Sequence, residues 1–288
     1  MILFIIIIVL ILFCCGVFAD NRGRLPEDVF YDIARNTSVC SDKVGNADFD
    51  KDVRGHTFQT MYGMMIPYIE MMRYRKQRIK MLEIGLGCHM KYGAGASVGI
   101  WRRLLEAYPP TSAEKDELWE AEVDSKCAEA KLKEGALDGI HVLIGDQSDP
   151  ATVRKWKQQG GDNFDFIIDD GGHDVRDIVT SFEILWDAVA PGGYYFLEDL
   201  HASAGLWLAG RGQDKVGGRN IALLSLIRRW MDQLVVARGP SNAQAHPYTS
   251  MPKGLKWIMC QVLNSACNIV ALIVCCCNIY ACTYILTL

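Results

Sequence analysis

The chain has 288 residues, half of them hydrophobic, which is enough to bury one substantial α/β core. Its 30 basic and 34 acidic residues give a net charge of -4. The chain therefore lacks the overall positive charge that is typical of nucleic-acid-binding proteins. Of its 11 cysteines, all but Cys40, Cys88 and Cys127 lie in or near the apolar ends. These three form no C-x-x-C pair, which argues against both a disulfide scaffold and a zinc site.

The two ends of the chain are strongly apolar. Residues 1–19 end in G-V-F-A before Asp20 and predict a cleaved secretory signal, although the lack of Lys or Arg in the segment leaves an uncleaved anchor open. Residues 269–288 carry no charge and predict a transmembrane helix. We therefore expect membrane association in the secretory pathway, in the endoplasmic reticulum or Golgi. The side of the membrane stays open, because the cleavage pattern and the flanking basic residues disagree.

Between these ends, residues 20–79 predict a helical lead-in, with helices at Pro26–Arg35 and Thr57–Tyr74, and residues 80–261 predict the main domain. Strand-like and helical runs alternate there in the order Lys80–Ile84, Ser97–Ala107, Glu117–Glu122, Asp124–Lys133, His141–Gly145, Pro150–Gln158, Phe164–Asp169, Val175–Val189 and Tyr194–Glu198. This alternation predicts a doubly wound, mostly parallel α/β sheet with helices on both faces. Arg219–Val236 predicts a further helix, and Gly254–Gln261 a last strand.

Two of the strand-like runs end in acidic residues. Phe164–His173 reads F-D-F-I-I-D-D-G-G-H, and the run ending in Glu198 and Asp199 reads P-G-G-Y-Y-F-L-E-D. Neighbouring parallel strands would bring these carboxylates together at the carboxyl edge of the sheet, where open α/β sheets bind ligands. Carboxylate oxygens suit a hard cation such as magnesium, and His173 is placed beside them to take a proton.

A simpler interpretation is that Asp169 caps the following helix and that Glu198 and Asp199 are solvated loop carboxylates. Two acidic pairs, each directly after a strand-like run and one followed by G-G-H, favour the functional interpretation of the whole set.

The first strand leads into a glycine-rich segment, Glu83–Ser97, that opens the first long helix. Glycines there allow close backbone approach to a ligand, and the helix start offers free N–H groups. Met90 stands where the third glycine of a dinucleotide motif would be, so an NAD-dependent oxidoreductase is disfavoured.

This arrangement resembles the layout of S-adenosylmethionine-dependent methyltransferases, with a Rossmann-like fold. The resemblance implies cofactor-binding roles for the residues after the strands: Glu83, Gly85 and Gly87 at the methionine part, Glu122 at the ribose, Asp146 and Gln147 at the adenine, and Asp169 beside them.

Four motifs narrow the resemblance: L-E-I-G-L-G at 82–87, G-D-Q-S-D at 145–149, F-D-F-I-I-D-D-G-G-H at 164–173 and P-G-G-Y-Y-F-L-E-D-L at 191–200. Together they resemble the macrocin and mycinamicin sugar O-methyltransferases, with cephalosporin-hydroxylase-like proteins as relatives. The resemblance implies a magnesium-dependent enzyme that methylates a hydroxyl of a sugar or similar small-molecule or glycan acceptor. It assigns Asp170, Glu198 and Asp199 as metal ligands and His173 as the general base.

That family usually ends in a pair of strands, whereas everything after Gln261 is expected here to be membrane-like. Relatives often assemble, so a homo-oligomer is open. The alternative outside enzymology is a membrane-anchored pseudoenzyme that keeps the fold as a binding module. Against it stand the retained acidic residues and His173, because a module without chemistry has no reason to keep a cluster of like charges.

Overall fold

The computed structural model describes residues 23–37, 43–44, 58–90, 93–200, 214–216, 219–221, 223, 226–227, 230–231, 252, 255–263 and 268–276. The predicted signal or anchor at residues 1–19 lies outside these ranges.

The described chain alternates strands and helices as its sequence predicts. The helices are α1 (Pro26–Arg35), α2 (Gln59–Gly63), α3 (Met65–Tyr74), α4 (Ala96–Ala107), α5 (Ser125–Lys133), α6 (Pro150–Gly160) and α7 (Val175–Leu185), the last followed by a 3-10 turn at Trp186–Ala188. The strands are β1 (Lys80–Ile84), β2 (Glu117–Glu122), β3 (His141–Ile144), β4 (Phe164–Asp169), β5 (Val189–Glu198), β6 (Asp214–Val216), β7 (Arg219–Ile221), β8 (Leu255–Leu263) and β9 (Asn268–Cys276). Asp124 and Asp149 begin α5 and α6 because their carboxylates accept backbone N–H groups of the first turn.

The main sheet has seven strands in the order β3-β2-β1-β4-β5-β9-β8. Strands β1 to β5 are parallel, and β9 pairs antiparallel with both β5 and β8. From β1 the chain adds β2 and β3 toward one edge of the sheet, and from β4 it adds β5 toward the other edge. The strand order therefore reverses between β1 and β4. Such a switch point is where an open α/β sheet binds ligands. The predicted doubly wound fold is therefore confirmed.

Side chains of the central strands alternate between two cores, as the period of a β-strand requires. Leu82, Ile84 and Ile167 pack with α6 and α7 on one face of the sheet. Met81 and Phe166 pack on the other face, against the N-terminal helices and α4. The lead-in thus forms one of the two helical layers.

Two helix predictions need correction. The predicted helix at Thr57–Tyr74 is divided at Met64, which ends α2 and begins α3. Arg219–Ile221 was expected to begin a helix but pairs as strand β7 with β6.

The prediction of a transmembrane helix at residues 269–288 is wrong for the described part of that segment. Residues 268–276 form β9, held between β5 and β8, so the sheet continues past the predicted domain end at residue 261. An uncharged apolar run suits a strand inside a covered sheet as well as a membrane helix, and the β-branched residues of N-I-V-A-L-I-V-C-C favour the strand. The chain therefore has the terminal strand pair that it was expected to lack. Across the described residues, no helix combines the length and apolar character needed to cross a bilayer.

Candidate active site

A cleft of about 370 Å³ lies at the carboxyl edge of the sheet, over the switch point between β1 and β4. Its walls are the loops that follow the five parallel strands. The predicted site residues that line it are Gly85, Gly87, Glu122, Asp146, Gln147, Asp170, His173 and Asp199. Cys88, His89, Met90, Trp156 and Asp177 also line the cleft and were assigned no cofactor or metal role by the sequence.

The loop after β1 needs glycine at its first position. Gly85 has φ +108°, and a Cβ atom there would overlap the backbone carbonyl of Asp170 in the loop after β4. Only glycine combines this backbone conformation with so close an approach. The two loops that flank the switch point are therefore in direct contact, and the cleft begins where they separate.

Three chemically active side chains converge at the cleft. His173 Nε2 lies 3.7 Å from Asp170 Oδ1 and 3.7 Å from Asp199 Oδ2. His173 and Asp199 are both non-glycine residues in the left-handed region, at φ +57° and +49°. This conformation is unfavourable for ordinary side chains and tends to occur at functional sites. Both loops therefore hold a strained backbone that brings these side chains together.

The donor set fits a divalent cation. Asp170, His173 and Asp199 each offer one ligand atom, and these atoms all lie within 4.8 Å of one another. Two carboxylates suit magnesium, which prefers oxygen ligands and retains several waters. His173 Nδ1 is buried and has no hydrogen-bond partner among the described residues, and Nε2 faces the two carboxylates.

Glu198, whose role as a metal ligand stays a prediction, is fully buried and pairs with Lys43 in a polar network. The network comprises Lys43, Tyr62, Glu83, Glu120 and Glu198 and is called the buried network below. Lys43 Nζ lies 2.6 Å from Glu198 Oε1 and 2.5 Å from Asp170 Oδ2, and the Tyr62 hydroxyl donates a hydrogen bond to Glu198 Oε1. Burial by itself would lower the pKa of Lys43, but the surrounding carboxylates hold it well above its usual value. The buried lysine is therefore charged.

Glu83, predicted at the methionine part of the cofactor, also belongs to this network and does not line the cleft. Ser97 and Trp101 of α4 donate to its Oε2 atom, and its Oε1 atom lies 3.4 Å from Lys43 Nζ. Glu120 on β2 lies opposite Glu83 in the sheet. Burial, followed by the neighbouring Glu83 carboxyl group, raises the pKa of Glu120 well above its usual value. The raised pKa favours the protonated form of Glu120 beside the Glu83 carboxyl group.

Asp169 is buried on the opposite face and neither caps α7 nor lines the cleft. It accepts hydrogen bonds from Gln147, Tyr195 and the Ser181 hydroxyl, and burial raises its pKa despite these donors. Gln147 Oε1 also accepts from the backbone N–H of Gly172. Asp169 and Gln147 therefore join the loops after β3 and β4, and Gln147 reaches the cleft only as part of its wall.

A disulfide joins Cys88, which lines the cleft, to Cys127, and it was not predicted. Cys88 lies on the glycine loop after β1, and Cys127 lies in the first turn of α5, which follows β2. The bond thus connects the loop bearing Gly87 to the segment that follows Glu122. Sequence spacing carried no signal for it, because the two cysteines meet only when β1 and β2 pair.

Known proteins of similar sequence are methyltransferases. Demethylmacrocin O-methyltransferase from Streptomyces fradiae is 27% identical over 176 residues, which cover 60% of this chain and 40% of that protein. The 8-demethyl-8-alpha-L-rhamnosyl tetracenomycin-C 2'-O-methyltransferase from Streptomyces olivaceus is 30% identical over 171 residues. These residues cover 59% of this chain and 40% of that protein. Mycinamicin VI 2''-O-methyltransferase from Micromonospora griseorubida is 28% identical over 176 residues, covering 60% and 40%.

The chain resembles the sugar O-methyltransferases. The predicted resemblance is thus confirmed, although the chain spans about 40% of the length of these relatives, and no family model matches it. Among solved structures, a MycE methyltransferase from the mycinamycin biosynthetic pathway, in complex with Mg and SAH, superposes with a TM-score of 0.56 at 22% identity. The superposition covers 85% of this chain and 53% of the MycE chain. This likeness establishes the methyltransferase fold.

Proposed function

We propose that the domain transfers a methyl group from S-adenosylmethionine to a hydroxyl of a sugar or similar polyol, with the help of a divalent cation. The observation that carries the proposal is the meeting of Asp170, His173 and Asp199 in one cleft, beside a glycine loop at the switch point of the sheet. The similarity to named O-methyltransferases of tetracenomycin and macrocin type supports the same chemistry.

Each side of the cleft would hold a different reactant. The glycine loop and Glu122 would hold the cofactor, because Gly85 and Gly87 allow close backbone approach and a carboxylate suits a ribose diol. Asp170 and Asp199 would hold a magnesium ion, which when bound supplies positive charge that lowers the pKa of a nearby hydroxyl.

His173 would remove the proton from the acceptor hydroxyl. The imidazole lies within reach of both carboxylates, which stabilise its positive charge once it is protonated. Alignment of the acceptor oxygen with the methyl group, with no covalent bond to the protein, would account for most of the rate increase.

Titration calorimetry tests the proposal directly. The full chain would be titrated with S-adenosylmethionine in the presence of magnesium and again with a chelator, with NAD as the control ligand. A preparation ending at residue 261 would lack β9 and is unsuitable. Binding of S-adenosylmethionine but not NAD, followed by magnesium-dependent methyl transfer to an acceptor panel of sugars and polyols, is the expected result. Cofactor binding without transfer to any hydroxyl would favour the pseudoenzyme alternative.

We also propose that the domain works in an oxidising compartment of the secretory pathway. Disulfides persist there, whereas cytosolic reductants keep most thiols reduced, so the Cys88–Cys127 bond supports this location. Asn36-Thr37-Ser38 is an N-glycosylation acceptor sequence, and Asn36 is exposed at the end of α1.

A mass shift on enzymatic deglycosylation, lost in Asn36→Gln, would support this location. An unglycosylated protein with free thiols at both cysteines would contradict it.

A further inference from the structure

The turn that carries His173 is enclosed by two side chains from other parts of the fold. Gly171 and Gly172 directly precede His173. The backbone N–H of Gly172 donates to Gln147 Oε1 over 3.1 Å, and a Cβ atom at Gly171 would overlap the same oxygen. Gln147 is buried and donates to Asp169 at the end of β4. One side of the turn is therefore fixed by the loop after β3.

Asp177 encloses the other side of the turn. A Cβ atom at Gly172 would overlap Asp177 Oδ2, so the carboxylate lies directly against the glycine backbone. Gly172 does not have a positive φ, so its backbone conformation is open to other residues. The Asp177 side chain, and not the backbone, therefore accounts for glycine at this position.

The start of α7 fixes Asp177 in its turn. The Ser181 hydroxyl, which is hydrogen-bonded to Asp169 at the end of β4, lies 3.0 Å from the Asp177 carbonyl oxygen. Asp174 begins α7 without a side-chain capping bond, and Asp177 is the acidic residue of the first turn. A negative charge there interacts favourably with the N–H groups at the helix start. Asp177 is thus attached to β4 while its carboxylate contacts the turn and lines the cleft.

His173 depends on these contacts because its backbone lies in the left-handed region, at φ +57°. Such a conformation is unfavourable for a residue with a side chain and persists only where the surrounding structure holds it. Gln147 and Asp177 hold the residue before it from two sides. In this position His173 Nε2 lies 3.7 Å from both Asp170 Oδ1 and Asp199 Oδ2.

We infer that Asp177 is a positioning residue of the proposed reaction, whose carboxylate packs on Gly172 and holds the turn so that His173 faces the acceptor hydroxyl. This inference rests on the proposed function, in which His173 removes the proton. It gives a role to a cleft carboxylate that lies outside the cluster formed by Asp170, His173 and Asp199. A displacement of about 1 Å can lower a rate by roughly 100-fold, so a small movement of the turn is enough.

Methyl-transfer kinetics and histidine NMR spectra of the full chain test the inference. Asp177→Ala should lower kcat by about 10- to 100-fold, with acceptor KM and S-adenosylmethionine affinity near wild type. In protein with ring-labelled histidine, the His173 signal is the one that His173→Ala lacks. That signal should shift in Asp177→Ala, whereas the signal of His141, outside the cleft lining, should not.

Arg176→Ala is the matched control. Arg176 is exposed in the same first turn of α7 and does not line the cleft. This variant should leave both kcat and the His173 signal unchanged.

Gly172→Ala is a second variant that leaves Asp177 in place. Its methyl group would displace the Asp177 carboxylate, and the backbone conformation accepts alanine. It should shift the His173 signal and lower kcat as Asp177→Ala does, and it carries the test if Asp177→Ala does not fold. The Gly172→Ala/Asp177→Ala variant should be no worse than either single variant, because each change removes the same contact.

An unchanged His173 signal and kcat in Asp177→Ala would overturn the inference, as would additive losses in the double variant. A raised acceptor KM with unchanged kcat would also overturn it, because Asp177 would then bind the acceptor directly. Wild-type protein that transfers no methyl group to any acceptor would instead refute the proposed function. The NMR comparison needs no acceptor, so it would still show whether Asp177 holds His173.

Discussion

Glu198 and Asp199 are adjacent in sequence but belong to two regions with different physical roles. Asp199 lies on the cleft wall, 3.7 Å from His173, with 19% of its side chain exposed. Glu198 ends β5 and is enclosed in the buried network with Lys43 and Tyr62. The comparison teaches that adjacent acidic residues after a strand can face different surroundings: Asp199 lines the cleft, whereas Glu198 is buried against Lys43, which also binds the cleft residue Asp170.

The largest expected effect is on the cleft side. Replacing His173 by Ala removes the proposed base and should lower methyl transfer by roughly 10²- to 10⁴-fold, with cofactor binding retained. Labelled methyl transfer and calorimetry would measure the two quantities. His141→Ala is the matched control, since that histidine stacks on Trp119 outside the cleft lining. Equal rates in both variants would remove His173 from the mechanism.

The comparison itself is tested by neutralising each member of the adjacent pair. Glu198→Gln leaves Lys43 with an incomplete set of buried partners and should lower the free energy of unfolding by about 3 kcal/mol. Asp199→Asn should leave stability near wild type and abolish magnesium binding. Denaturant unfolding and magnesium titration of both variants provide the measurement. The reverse pattern would mean that Glu198, not Asp199, meets the cation.

The disulfide between Cys88 and Cys127 should affect both stability and cofactor binding. The Cys88→Ser/Cys127→Ser variant is expected to lose about 2 kcal/mol of stability, because an uncrosslinked chain gains freedom on unfolding. Its affinity for S-adenosylmethionine should also fall, since the loop bearing Gly87 is no longer tied to the segment after Glu122. Calorimetry with and without reductant checks this. Reductant should weaken binding to wild type only, and an equal response in both proteins would contradict the prediction.

The smallest expected effect concerns Asp165, at the opposite end of β4 from the cleft. Burial raises its pKa from 3.8 to about 6, although Tyr68 and the Lys80 backbone N–H donate to it. The folded state therefore retains a proton that the unfolded state loses. The contribution of protonated Asp165 to the free energy of unfolding is complete below pH 3.8 and disappears as the pH rises through about 6.

Between pH 4 and pH 7, wild type should thus lose about 2 kcal/mol of stability relative to Asp165→Asn, which cannot ionise. Denaturant midpoints of the two proteins across this range measure the difference. Parallel pH profiles would show that Asp165 is ionised throughout. An effect on stability alone, with magnesium and cofactor affinities unchanged, would separate this buried acid from the cleft carboxylates.

Much of the cleft was predictable because it depends on short stretches of sequence. Parallel strands place the loops that follow them on one edge, so Gly85, Glu122, Asp146 and Asp170 could be assigned to it before any contact was known. The burial of Glu83 and Glu198 had a local signal as well. Both share the strand alternation of residues that face the N-terminal layer, Met81 and Phe196, and alternation places such side chains on that face of the sheet.

The sequence by itself determined the order of strands and helices from β1 to β5, the parallel core of the sheet and the edge that carries most of the predicted site residues, because periodicity and strand-end motifs act over a few residues. Only the tertiary structure decided that Lys43 reaches Asp170, that Cys88 pairs with Cys127, and that residues 268–276 complete a sheet. These outcomes depend on which distant segments become neighbours. The composition of an apolar or charged segment is the same whichever segment packs beside it. The contact partners of such a segment are therefore known only from the folded chain.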